Sequence, residues 1–206
     1  MPTFNLGTSP LIGFDLDMTL IDSRPGIQAV YDEISTRTGV EIDSSLVVSR
    51  LGPPVEVELA NWFAHDAVDA MADLYRSLYP GIAIARIEAL PGAYDALAAV
   101  RARGGRVAVI TAKNARDAAA HLDHLGLHAD EVRGRAWRAG KADALGELGA
   151  EAYVGDHVHD MEAAGLAGVP GVGVTTGPSS RTELEAAGAA AVVGSLAELA
   201  HVLDTL

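Results

Sequence analysis

Leu11-Ile12-Gly13-Phe14-Asp15-Leu16-Asp17-Met18-Thr19-Leu20 is a short apolar run that stops in a pair of carboxylates. Three further segments have the same form. Val107 to Ile110 runs into Thr111, Ala152 to Val154 into Gly155 and Asp156, and Gly171 to Val174 into Thr175. Each run is short and β-branched, and a helical pattern follows it. Buried strands alternating with amphipathic helices predict an α/β fold, a Rossmann-like parallel sheet covered on both faces. Ligands of such sheets bind beyond the carboxyl ends of the strands, where these polar residues stand.

Periodicity and capping residues outline the helices. Asn114 and Asp117 form a start signal, Leu122 and Leu125 an apolar stripe, and Gly126 a stop. Pro91 opens another helix, with Tyr94, Leu97, Ala98 and Arg101 at helical spacing before Gly104 and Gly105. Ser195 and Glu198 form a capping box ahead of Leu199, Val202 and Leu203, a helix assigned to packing. Residues 23–88 differ, because no apolar run there ends in a polar residue. Ile27, Val30, Tyr31 and Ile34 form one amphipathic face, Pro53 and Pro54 start a second helix through Leu59, Trp62 and Phe63, and Ala67 to Leu78 reads as a third. An all-helical insert over 23–88 is therefore expected within an α/β core made of residues 1–22 and 89–206, with linkers at Ser23–Pro25 and Tyr79–Pro91.

Composition excludes several classes of function. The 206 residues carry 28 acidic and 15 basic side chains, a net charge of −13. A surface of that sign repels the phosphate backbone of nucleic acid and the headgroups of anionic membranes. With no cysteine, thiol catalysis, disulfides and cysteine-ligated metal sites are ruled out. The stretch from Met1 to Leu20 lacks a basic start and is cut by Asp15 and Asp17, a poor match to a signal peptide. No apolar run reaches the roughly 18 residues of a membrane span, so a cytoplasmic location is expected. Lysine occurs at two positions only, Lys113 and Lys141. Both adjoin the loops described next.

Asp15 and Asp17 follow the first strand at a spacing of two, which tends to turn both carboxylates the same way. Neighbouring carboxylates repel, and that separates their roles into nucleophile or metal ligand and acid. The alternative is an Asp-rich loop after a strand. Gly155-Asp156-His157-Val158-His159-Asp160 supplies two more carboxylates at i and i+4, suited to a hard, oxygen-liganded cation such as Mg²⁺. His157 and His159 have the form of a zinc-binding pair, but further ligands are not evident, and solvated or supporting histidines are the preferred reading. Thr111 and Lys141 offer a hydroxyl and an ammonium for a phosphoryl oxygen, against a capped helix start and a surface lysine.

The order Asp15-x-Asp17-x-Thr19, Thr111, Lys141, Gly155-Asp156-x-x-x-Asp160 resembles the four signature motifs of the haloacid dehalogenase (HAD) superfamily, and the helical insert is similar to its small cap. Val109-Ile110-Thr111-Ala112-Lys113, with Leu90-Pro91-Gly92 upstream, resembles the phosphoglycolate-phosphatase-like branch. Met18 stands where that family usually has Gly, Ala112 where Asn or Ser is common, and His157 where Ser or Thr is frequent; Lys141 lacks the Pro-Asp-Pro that often follows it. The resemblance implies hydrolysis of a small phosphorylated metabolite through an aspartyl-phosphate, by a monomer or homodimer. Asp15 would be the nucleophile and Asp17, raised in pKa by neighbouring carboxylates, the acid and then the base. Mg²⁺ would be held by Asp15, the Asp17 carbonyl and Asp156, with Asp160 orienting that shell. Thr111, Lys141 and the amides near Asp17 and Ala112 would bind the phosphoryl oxygens. Such cancellation is needed, since a carboxylate and a phosphate charge about 4 Å apart repel by about 4 kcal/mol at an effective dielectric of about 20.

Three rivals share the fold. A phosphomutase differs in passing the phosphoryl group to a sugar, and nothing in residues 25–88 declares a sugar-phosphate site. A haloacid dehalogenase has no use for Asp17 as an acid or for the second acidic cluster. A non-catalytic binding protein would have lost a nucleophile, acid or metal ligand, whereas all are present in type and order. In the insert, Arg24, Arg50, Trp62 and Arg76 are the side chains that could reach a substrate. Each also has an ordinary explanation: a hinge contact, a surface charge, core packing and a helix-surface residue, respectively.

Overall fold

The computed structural model describes residues 6, 7 and 9–206; residues 1–5, the start weighed against a signal peptide, and Thr8 lie outside them. Strand β1 (Leu11–Phe14) is followed by the two-residue β2 (Ile21–Asp22). Helices α1 (Arg24–Thr38), α2 (Ser44–Val48), α3 (Val55–Leu59) and α4 (Val68–Ile82) come next, and β3 (Glu88–Ala89) then returns to pair antiparallel with β2. The remainder alternates: α5 (Ala93–Ala102), β4 (Arg106–Ile110), α6 (Ala115–Leu125), β5 (Glu131–Arg133), α7 (Ala139–Leu148), β6 (Ala152–Gly155), α8 (Val158–Ala167), β7 (Gly171–Val174), α9 (Arg181–Ala186), β8 (Ala191–Val193) and α10 (Leu199–Leu203).

Six strands form one parallel sheet in the order β5-β4-β1-β6-β7-β8. The chain lays β4 and β5 to one side of β1, then crosses back to build β6, β7 and β8 on the other. That reversal opens a crevice at the carboxyl ends of β1 and its neighbours. The alternation of strand side chains divides the core. Ile12, Phe14, Val107, Val109 and Val154 pack on one face with the insert and α5, while Ala108, Ile110, Tyr153 and Leu145 pack on the other. Gly13 fits here because a Cβ would press on Tyr153 and Leu145. The buried Tyr153 hydroxyl donates to the Ile110 carbonyl at 2.7 Å, so the ring is buried without stranding its polar end.

The helical insert lies between β2 and β3, with boundaries that differ from expectation at both ends. Ser23 is not a linker but the residue that precedes α1, with Pro25 in the first helical turn. Helix α4 runs through Tyr79 and Pro80 to Ile82, because the fully buried Tyr79 and Ala83 keep this turn packed and the Ala83 N–H bonds the Tyr79 carbonyl at 2.8 Å. The helix opened by Pro53 and Pro54 ends at Leu59, leaving Trp62 and Phe63 in the turn beyond. Helix α5 starts at Ala93, after a turn in which Gly92 (φ 84°) packs directly on the Ala197 backbone and leaves no room for a Cβ. Among the described residues no helix is long and apolar enough to cross a membrane.

Candidate active site

The site is built on the turn after β1. The Asp15 N–H donates to the Val154 carbonyl at 2.8 Å, tying the turn to β6. The Leu16 carbonyl then accepts from Leu20 at 2.9 Å and from Ile21 at 3.1 Å, and Met18 is left-handed at φ 61°. That conformation costs a non-glycine residue about 1–2 kcal/mol. The burial of the Met18 side chain and a 2.5 Å hydrogen bond from the Thr176 hydroxyl to its carbonyl hold it there.

Three of the four expected acids converge. Asp15, Asp156 and Asp160 each place an oxygen within 4.8 Å of the others, and all three are buried. Thr19 donates to Asp156 at 2.7 Å, and the His157 N–H donates to Asp160 at 3.0 Å. Lys141, buried near the start of α7, donates to Asp160 at 2.6 Å and lies 3.1 Å from Asp15. Two glycines make the convergence possible. A Cβ on Gly155 would overlap the Asp160 carboxylate, and one on Gly177 would overlap that of Asp156.

One ammonium does not balance three buried carboxylates. Burial, assisted by Asp160 and Asp17 and opposed by Lys141, pushes Asp15 up to about 7. Asp156 is raised well above the usual carboxylate range by burial, then by Asp160 and Asp15. Burial works against the Lys141 charge, but Asp15 and Asp160 outweigh it and hold that group well above its ordinary value. Asp15 Oδ1 is buried, and among the described residues it meets no donor besides the Lys141 ammonium at 3.1 Å. All-oxygen donors with uncompensated negative charge fit a hard divalent cation.

The Asp17 carboxylate is absent from this convergence. The strand ends at Phe14, so the alternation expected to align Asp15 with Asp17 stops before either residue. Asp17 pairs instead with the Lys113 ammonium at 3.3 Å, a neighbour of opposite sign to the carboxylates expected beside it. Burial disfavours the Lys113 charge, yet Asp17 and the groups around it keep its pKa raised. Thr111 is buried at the end of β4, with its hydroxyl 3.2 Å from the Lys113 N–H.

Above these groups lies an open cleft of about 830 Å³, counting the space continuous with solvent. Asp15, Asp17 and residues Thr111 to Asn114 line its floor; Ile27, Tyr31, Tyr75, Arg76 and the 50–56 segment of the insert form its roof. Asp15 alone belongs both to the carboxylate cluster and to the cleft among the described residues. Of the insert side chains singled out, Arg24 pairs with Asp22 at 2.7 Å beside β2. Arg50 grips Glu58 through two hydrogen bonds of 2.9 and 2.7 Å, and Trp62 donates to the same carboxylate. Arg76 pairs with Glu56 and with Asp73. His157 caps α8, accepting from the His159 N–H at 3.1 Å, and His159 faces Arg138 and Glu162. Neither histidine side chain joins the carboxylate cluster. Tyr31 reads in the sequence only as part of an amphipathic helix face, and nothing there singles out Tyr75 or Arg135; all three line the cleft.

A family model described as haloacid dehalogenase-like hydrolase matches residues 12–174. The chain belongs to this family. A phosphoglycolate phosphatase from Rhodospirillum rubrum is 32% identical, covering 90% of this chain and 87% of its own. A probable phosphatase, IndB, from Dickeya dadantii is 29% identical over 94% of each chain. Among solved structures, a predicted phosphatase from Clostridium acetobutylicum superposes with a TM-score of 0.85 at 24% identity, covering 98% of this chain and 100% of that one. The expected fold and phosphoglycolate-phosphatase-like branch are met, and the chain is a HAD-like hydrolase of the phosphatase kind.

Proposed function

We propose that this protein is a Mg²⁺-dependent phosphomonoesterase that cleaves a small phosphorylated metabolite through an aspartyl-phosphate on Asp15. The position of Asp15, shared between the carboxylate cluster and the cleft, carries the reading. Asp15, Asp156 and the Asp17 carbonyl would hold the ion, with Asp160 fixing their arrangement through Lys141 and the His157 amide. When bound, Mg²⁺ offsets the charge of nucleophile and phosphate and polarises the phosphoryl oxygens.

The chain's own groups divide the remaining work. Lys141, 3.1 Å from Asp15, places a second positive charge beside the transferring group. Thr111 and the Ala112 amide on the cleft floor donate to its oxygens. An Asp15 oxygen bonds to phosphorus while the ester P–O bond breaks, and Asp17 gives its proton to the departing alkoxide. Asp17 then takes a proton from water, whose oxygen attacks the phosphoryl phosphorus, releases inorganic phosphate and frees Asp15. The insert, residues 23–88, acts as the cap that sets substrate choice and excludes bulk water.

The relatives make phosphoglycolate and other short phosphorylated acids the first substrates to test. A panel of phosphometabolites with Mg²⁺ is expected to release phosphate, and Asp15→Asn or EDTA to abolish release. Full turnover by Asp15→Asn or in EDTA would refute the mechanism. A phosphoenzyme that turns over only when a sugar phosphate is added would assign a phosphomutase instead.

A further inference from the structure

Lys113 is a buried lysine for which the mechanism above has no use. Its side chain is 8% exposed, and its ammonium lies 3.3 Å from Asp17 Oδ1 and 2.8 Å from the Tyr79 hydroxyl, to which it donates. Asp17 Oδ1 is itself buried and meets no donor besides this ammonium among the described residues, so Lys113 is what fixes it. Tyr79 comes from helix α4 of the insert, is fully buried, and carries the ammonium 4.4 Å from its ring centre. Its hydroxyl is also 3.0 Å from Nε2 of His121 on α6, whose ring meets it edge-on. Burial, with Lys113 next in effect, pushes His121 down to about 4, so the ring is neutral and Lys113 is the cation of the group.

We propose that Lys113 is the positioning residue that aims the Asp17 carboxyl at the leaving oxygen, and that Tyr79 holds Lys113 in place from the insert. The assignment rests on Asp17 being the leaving-group acid. A lysine stem has four rotatable bonds, and an unanchored ammonium would leave Asp17 free to rotate away. The Tyr79 hydroxyl and ring remove that freedom. Because Tyr79 belongs to the insert and Asp17 to the core, the acid is aimed correctly only when the two parts are packed as described. The rival role for Lys113 is direct contact with the substrate phosphate, which would help every ester alike.

Leaving-group dependence separates the two. Cleaving an alkyl phosphate requires protonation of a poor leaving group, whereas 4-nitrophenolate departs without it. The value of kcat/KM reports the step in which the ester bond breaks. It is to be measured with Mg²⁺ for phosphomonoesters from 4-nitrophenyl to simple alkyl, in wild type, Lys113→Met, Tyr79→Phe and Asp17→Asn. General acid catalysis contributes about 100-fold or more. Lys113→Met is therefore expected to lose on the order of 100-fold with alkyl esters and less than about tenfold with the aryl ester. Tyr79→Phe, which keeps the ring, is expected to shift the same way by a smaller factor, and it carries the test if Lys113→Met fails to fold. Equal losses across the series in Lys113→Met and Tyr79→Phe, with Asp17→Asn still steeply dependent, would overturn the role of Lys113. A flat series for Asp17→Asn would overturn the reading of Asp17 as the acid, and the assignment of Lys113 with it.

Discussion

In the metal-free protein, the raised pKa of Asp15 makes stability fall as pH rises. The folded state holds this proton up to about pH 7, whereas an ordinary aspartate releases it near 3.8. Above both values the folded protein bears the full cost of a buried carboxylate; below both it bears none. At 1.36 kcal/mol for each pH unit, the gap from 3.8 to about 7 is worth about 4 kcal/mol, of which about 3 kcal/mol falls between pH 5 and pH 8. Asp156 acts in the same direction. Neutral buried His121 acts in the opposite one, since its unfolded form gains a proton as pH falls below about 6.5. Comparing wild type with Asp15→Asn cancels the histidine contribution. Urea unfolding in EDTA, followed by circular dichroism, is expected to show wild type losing about 3 kcal/mol relative to Asp15→Asn from pH 5 to pH 8. Added Mg²⁺ should restore wild type far more at pH 8 than at pH 5. A stability difference that does not change with pH, or an equal Mg²⁺ increment at both, would refute this account of the site's charge.

Gly177→Ala places a methyl group in the space of the Asp156 carboxylate; kcat is expected to fall by about tenfold or more, with weaker Mg²⁺ activation in a metal titration. Glu58→Gln weakens the Arg50 clamp, which is partly exposed on the Arg50 side, so thermal unfolding should show a loss of about 1 kcal/mol while KM for the substrate rises. His157→Ala removes the side chain that caps α8 and should cost about 1 kcal/mol in urea unfolding. Mg²⁺ affinity by calorimetry should be nearly unchanged in that variant, and zinc should confer no activity that His157→Ala removes.

The four strands legible in the sequence, β1, β4, β6 and β7, are those buried almost throughout, because burial on both faces demands unbroken apolar runs. Strands β5 and β8 have three residues each at the sheet edges and are only partly covered; with Glu131 and Arg133 in β5, neither pattern stands out from a loop. The site was legible for a related reason. Asp15, Thr111 and Asp156 immediately follow buried strands and Asp160 sits in the first turn of the helix after β6, so chain order brings these four to one edge, whereas Lys141 arrives in the first turn of α7, behind the inconspicuous edge strand β5. Lys113 also lay beside that edge, but its partner Tyr79 precedes it by 34 residues in the insert. The sequence puts Tyr79 at the start of a linker; only its place in α4, packed on α6, turns it into a partner.

The insert joins the core across a ladder of just two residue pairs, Ile21 with Ala89 and Asp22 with Glu88. All the carboxylates of the cluster, with Thr111 and Lys141, belong to the core on the other side of that ladder. On the proposed reading of the insert as a cap, residues 23–88 are an exchangeable module: a different roof can be spliced in at two adjacent crossings while the carboxylate cluster stays in the core. On the same reading, such a transplant must carry a tyrosine at the place of Tyr79, whose hydroxyl accepts from Lys113, the partner of Asp17.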